Sequence, residues 1–181
     1  MRVITGTARG KRLETPIGTD IVRPTGDKVK EAIFSIIQFD IENSVVLDLF
    51  AGSGQLGIEA LSRGAKEAYF IDCVPSSVEL IKRNIHSCSF DEVSKVYRAD
   101  YSAFLNGTKE KFDIAFLDPP YNADFIDNAL GLVAKKMKNF GIIICEHGEK
   151  VPVCDLDGFS RKDKRYGKTM VSVFRKEAEN L

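Results

Sequence analysis

Two short runs in this chain set carboxylates beside backbone-exposing residues, an arrangement suited to handling a small charged ligand. In "DLFAGSGQLG" (48–57), Asp48 precedes Gly52, Gly54 and Gly57, which together spell G-x-G-x-x-G. Glycines in this pattern match the dinucleotide-binding fingerprint when they follow a strand, open a helix and meet an acidic residue about 20 positions on. Asp72, closing "EAYFID", is that acidic residue. In "LDPPYN" (117–122), Asp118 is followed by Pro119, Pro120 and Tyr121. Prolines fix the backbone and carry no N–H donor, so the Asp118 carboxylate and the Pro119 carbonyl form a rigid pair of acceptors.

Charge separates the possible ligands of the glycine loop. A dinucleotide brings a negative pyrophosphate to a helix N-terminus, and Asp48 would set a like charge beside it at a cost that rises in a low-dielectric cleft. S-adenosyl-L-methionine brings a sulfonium and an ammonium, which a carboxylate attracts. On that reading Gly52 and Gly54 allow close backbone approach, Asp72 accepts from the ribose hydroxyls and Asp100 accepts from the adenine amine. Phe50, Cys73 and Tyr101 adjoin those positions and complete the candidate cofactor contacts. The alternative for Asp48 is to bond only the loop amides; for Asp100 it is a helix cap or a solvated loop residue. The acceptor pair at Asp118 and Pro119 suits an exocyclic amine conjugated to a base, whose lone pair it would turn toward an electrophilic methyl. Tyr121 would stack on that base, a contact worth roughly 1–3 kcal/mol.

These residues work together only if the chain brings them to one edge. Strand-like runs ("SVVLDLF", "EAYFID", "VSKVYRAD", "FDIAFLD", "GIIICEH") alternate with helical ones ("QLGIEALSRGA", "PSSVELIKRNIHSC", "ADFIDNALGLVAKKM"). Such alternation predicts an α/β fold: a mostly parallel, twisted Rossmann-like sheet with helices on both faces. Ligands of such sheets bind beyond the carboxyl ends of the strands, where Asp48, Asp72, Asp100 and Asp118 all fall. An antiparallel hairpin is expected over "SRKDKRYGKTMVSVFRK". Before the core, "MRVITGTARGKRLETP" reads as a small hairpin ending at Pro16, and "TGDKVKEAIFSIIQ" as an amphipathic helix capped by Thr25. The expected organisation is one domain, 1–181, with an extension over 1–40 and a core over 41–181.

Composition excludes several classes. A chain of 181 residues, 44% hydrophobic and 29% charged, is globular rather than disordered. Four cysteines without C-x-x-C or zinc spacing fit a reducing compartment and no metal site. No signal peptide and no apolar run of the roughly 18 residues a membrane span needs are present. A soluble cytoplasmic protein is expected. Lys+Arg and Asp+Glu are 26 each, yet the cations are unevenly placed. Arg2, Arg9, Lys11 and Arg12 crowd one end; Arg161, Lys162, Lys164, Arg165 and Lys168 crowd the other, with Arg23 ahead of the first helix. Such clusters could form one phosphate-binding face. His86 reads as a helix-surface residue, and His147, beside Glu146, receives no catalytic role.

Together "DLFAGSG" and "DPPY" resemble motifs of class I S-adenosylmethionine-dependent methyltransferases acting on exocyclic amines. The flanking runs "RPTGDKVKEAIFSII", "LDLFAGSGQLGIEALSRGA", "FLDPPY" and "KRYGKT", over nearly the whole chain, resemble the bacterial RsmD family. The resemblance implies methyl transfer to a guanine N2 in small-subunit (16S) ribosomal RNA. Asp48, Gly52 and Gly54 would hold the methionine part of the cofactor, Asp72 the ribose and Asp100 the adenine. Asp118, Pro119, Pro120 and Tyr121 would form the target-amine site. A monomer working on 16S rRNA or the assembling 30S subunit is expected, without membrane, and without metal because the sulfonium is already an activated electrophile. Arg2, Arg9, Lys11, Arg12, Arg23, Lys164 and Arg165 are the candidate RNA contacts; in the resembled family the segment that matches Arg23 and Thr25 lies by the active site, which implies a role in closing over the cofactor or base. One departure is "IDCVPSS", where Cys73 and Val74 stand in place of charged residues. Rival readings are a DNA or other RNA amino methyltransferase, an NAD-dependent oxidoreductase, and an RNA-binding module without activity.

Overall fold

Residues 1–15, 24–119 and 123–178 are described in a computed structural model of the chain. Strands β1 (Val45–Leu49), β2 (Glu67–Asp72), β3 (Ser94–Arg98), β4 (Phe112–Leu117) and β5 (Met137–Gly148) are parallel. Strands β6 (Phe159–Tyr166) and β7 (Thr169–Lys176) form an antiparallel hairpin that extends the sheet from β5. The spatial order is β3-β2-β1-β4-β5-β7-β6. From β1 the chain winds outward through β2 and β3, then returns to the other side of β1 with β4. That reversal leaves a crevice above β1 and β4, the expected ligand position in a doubly wound sheet.

Alternation along each strand sends side chains into two cores. On one face Val46, Phe70, Ile114, Phe116 and Ile144 pack against α1 (Pro24–Ile36), α2 (Gln55–Ser62), α3 (Pro75–Ser87) and the N-terminal segment. On the other, Leu47, Ile71, Leu117 and Phe174 pack against α4 (Tyr101–Gly107) and α5 (Ala123–Ala134). Both faces of β1 are covered, which explains its nearly continuous apolar run. Among the described residues, no helix is long and apolar enough to cross a membrane.

Several local expectations need correction. The first 15 residues are not a laddered hairpin. A single antiparallel bridge, Arg2 to Arg12, closes a turn-rich segment. Its backbone is held from below instead. The fully buried Glu59 of α2 accepts from Ile4 N (2.8 Å), Thr5 N (3.0 Å) and Arg63 Nε (2.8 Å), with Lys30 Nζ at 3.6 Å. A buried carboxylate needs such partners, and here they fasten the segment to α1 and α2. Helix α1 begins at Pro24, so Thr25 lies inside it rather than capping it; a first-turn proline is well suited to that position. Helix α4, "YSAFLNG", is an element that the periodicity did not reveal, since seven residues span barely two turns.

Candidate active site

The glycine loop follows β1 and enters α2 through left-handed turns. Gly54 is the N-cap residue at φ 77°, a conformation costly for side chains with a Cβ. Gly57 serves the packing of α2 on the sheet: a Cβ there would lie 2.4 Å from Cε1 of the buried Phe70. Phe50 itself has φ 68°, uncommon and strained for a bulky residue. Its ring packs 5.4 Å from Tyr101 and 5.2 Å from Phe125, and those two rings are 4.8 Å apart.

This aromatic wall borders a crevice of about 380 Å³, within the ordinary size of small-ligand sites. Ile71, Asp72, Cys73, Val74, Asp100 and Asp118 are among its other lining residues. Asp72 accepts from Gly52 N (2.9 Å) and Val74 N (2.8 Å), one bond on each oxygen. Each ionised oxygen has a second lone pair, so the fixed carboxylate can still take ribose hydroxyls. Asp100 caps α4, and Oδ1 alone accepts from Ser102 N, Ser102 Oγ and Ala103 N. These bonds hold its carboxyl below the usual range, and Oδ2 is left for a ligand amine. The cap and the crevice wall are thus one residue.

Asp48 lies beneath the loop rather than on the crevice wall. It is 3% exposed and accepts from Gly57 N at 2.8 Å. Burial, added to by the charges of Asp118 and Asp72 against the Gly57 bond, pushes its carboxyl up to about 8. At neutral pH it is largely protonated, so it repels a pyrophosphate less than a free carboxylate would. A cation held over the loop would favour its ionised form.

Asp118 stands at the end of β4 on the crevice edge, followed by the buried Pro119. Although its side chain opens to solvent, surrounding protein pushes its carboxyl up to about 6. Arg23, Pro120 and Tyr121 lie outside the described residues. Sequence reasoning passed over two groups here. Phe125, in the first turn of α5, joins the aromatic wall. Glu146, at the carboxyl end of β5, is half-buried and pushed up to about 7, by burial first and then by Asp118. The strand-end rule that singled out Asp118 applies equally to Glu146. His147 faces the other core: it meets Ser172 Oγ at 2.8 Å and Gly148 O at 3.1 Å.

The cations divide. Arg2, Arg9, Lys11 and Arg12 are all exposed on the N-terminal segment. Lys162 and Lys164, opposite Val173 and Val171, share that segment's face of the sheet. Arg165 projects from the opposite face and pairs with Glu149 at 2.8 Å. Arg161 is engaged with Asp155 and Asp163.

A family profile described as "Conserved hypothetical protein 95" matches residues 1–175. The Bacillus subtilis protein YlbH, provisionally named an rRNA methyltransferase, is 37% identical over 184 residues, covering 97% of this chain and 99% of its own. The ribosomal RNA small subunit methyltransferase D of Haemophilus influenzae is 35% identical, covering 75% of this chain and 71% of its own. The chain belongs to this family, the RsmD family. A solved Escherichia coli structure, provisionally described as the methyltransferase yhhF, superposes with a TM-score of 0.89 at 27% identity, covering 99% of each chain. As an RsmD-family protein the chain is an S-adenosyl-L-methionine-dependent methyltransferase with the class I Rossmann-like fold. Its crevice fits that donor: spare acceptors on Asp72 and Asp100 suit a nucleoside, and the buried Asp48 suits a cation over the loop.

Proposed function

We propose that this chain methylates the exocyclic N2 of a guanine in small-subunit (16S) ribosomal RNA, in the cytoplasm, acting as a monomer on the free RNA or the assembling 30S subunit. The observation that carries this reading is that Asp118, followed in the chain by the buried Pro119, lines the crevice. The naming of the Haemophilus relative as a small-subunit rRNA methyltransferase supports the RNA target. When bound, the donor supplies an activated methyl group whose C–S electron pair leaves with sulfur.

The protein's part is positioning. An amine inside a base stack cannot be reached, so the guanine must be flipped or unpaired. The Asp118 carboxylate and Pro119 carbonyl accept the N2 hydrogens and turn the nitrogen lone pair toward the crevice. Tyr121 stacks on the base, Pro120 belongs to the same amine site, and Asp118 or water takes the proton that the methylated amine releases. Asp48, Gly52 and Gly54 hold the methionine part of the donor, Asp72 its ribose and Asp100 its adenine, with Phe50, Cys73 and Tyr101 around them. Residues 1–40 serve as an RNA-side extension on a core of 41–181. There Arg2, Arg9, Lys11, Arg12, Arg23 and Lys164 meet phosphates; Arg165 does so only by giving up Glu149. The second reading, methylation of an adenine N6 or another amine on DNA, shares the same four residues 118–121.

Asp118→Ala is the direct test. Methyl transfer is expected to disappear while equilibrium affinity for S-adenosyl-L-methionine stays within a few-fold. Full transfer by that variant would sink the assignment.

A further inference from the structure

Next to Asp118 stands a second carboxylate, that of Glu146, to which the amine-gripping role assigns nothing. Leu117 of β4 is in register with Cys145 of β5, so Asp118 and Glu146 are the next residues of two adjacent parallel strands. Such strands lie about 4.8 Å apart. Phe116 and Ile144, two residues earlier, share one core face, so alternation sends Glu146 to the face that also carries Asp48. The donor crevice reaches Asp118, and Glu146 is not among its lining residues. In the strand order β2-β1-β4-β5 it stands on the far side of Asp118 from the crevice, which β2, β1 and β4 border; a base whose amine meets Asp118 would bring its neighbouring edge there. Among the described residues its carboxylate has no hydrogen-bond or ion-pair partner, although it is half-buried. A half-buried acceptor left open beside a reactive centre is a vacancy for a donor brought by the substrate.

Resting on the guanine reading above, we propose that Glu146 is a specificity-determining residue that accepts the ring N1–H of the target guanine while Asp118 and Pro119 hold its N2 amine. Guanine presents N1–H and N2–H as adjacent donors along one edge, which two neighbouring strand-end carboxylates can meet. Adenine presents a bare N1 lone pair beside its amine, and an acceptor there would be left facing an acceptor. A site built to bond a substrate N–H rejects analogues lacking it, because its own buried polar group is then unpaired. The raised titration of both carboxyls, each burdened by burial and Glu146 also by Asp118, marks the loss that such donors would relieve. Glu146 thus chooses the base and Asp118 acts on the amine.

The test uses an RNA fragment that the wild-type protein methylates, synthesised with guanine or 2-aminopurine at the target position. 2-Aminopurine keeps the reactive amine and replaces N1–H by a lone pair. The wild-type protein is expected to prefer guanine by at least tenfold. In Glu146→Gln, whose amide can donate or accept, guanine turnover should fall tenfold or more and the preference should collapse toward unity or invert. Glu146→Ala should lose guanine turnover without gaining on 2-aminopurine. Unchanged donor affinity in both variants reports that they fold. An unaltered guanine preference in both variants, or equal losses on both bases, would overturn the proposal. If the wild-type protein binds the donor but modifies no guanine in small-subunit RNA, the guanine reading itself fails, and this inference with it.

Discussion

Asp48 carries the tension between folding and ligand binding in a single carboxyl. Its place before the glycines is plain in the sequence, but its depth is not, because the Gly57 amide that it accepts from is brought over it by α2. Burial raises its folded-state titration to about 8, against an unfolded value near 3.8. Between those values the folded protein keeps a proton that the unfolded chain has lost, so this residue's contribution to stability falls as pH rises. Asp48→Asn keeps an acceptor for Gly57 and removes the titration. Its melting temperature relative to the wild-type protein should therefore rise steadily from pH 5 to pH 8, where a gain of on the order of 2–4 °C is expected for each kcal/mol recovered. Paired melting curves across that range check this, and a gap that does not widen with pH would contradict it. Asp100 carries the same lesson. The sequence offers cap or ligand contact as alternatives, and the fold uses Oδ1 for the cap while leaving Oδ2 to the crevice.

At the scale of elements, β1, β2 and β4 were legible because each is covered on both faces and reads as an apolar run; β3, at the sheet edge, is largely exposed and shows only the alternation of its residues. Helix α2 was legible from its periodicity and from Gly64, which follows its last turn at φ 98°. The N-terminal segment was not, since its order comes from distant partners rather than from its own ladder. Glu59 looks like any helix glutamate until Ile4, Thr5, Lys30 and Arg63 are seen to converge on it. Helix α4 escaped notice because its stability rests on the Asp100 cap and on Leu105 in the core. Removing Glu59 should be severe: Glu59→Ala would leave Lys30, whose ammonium burial already drives toward its neutral form, without its carboxylate. Breaking such a buried pair costs roughly 3–5 kcal/mol. Denaturant unfolding should report that loss, and limited proteolysis should cut the first 15 residues before the core. A variant as stable as the wild-type protein would show that the segment is held by other contacts.

Across the whole molecule, the strand reversal between β1 and β4 opens the crevice that Asp118 lines; in the proposed reading the donor lies in it and the acceptor base meets Asp118. The exposed cations at residues 2, 9, 11 and 12 lie on the same side of the sheet as Lys162 and Lys164. Strand alternation is what separates Lys164 from Arg165, and adjacency in sequence concealed it. The most direct measurement supplies methyl-labelled S-adenosyl-L-methionine with unmodified 30S particles, free 16S rRNA and duplex DNA, and then maps the labelled base. Label confined to the N2 of a guanine in the small-subunit RNA is the predicted result. Label in the DNA or on an adenine N6, or none on any substrate despite donor binding, would contradict it.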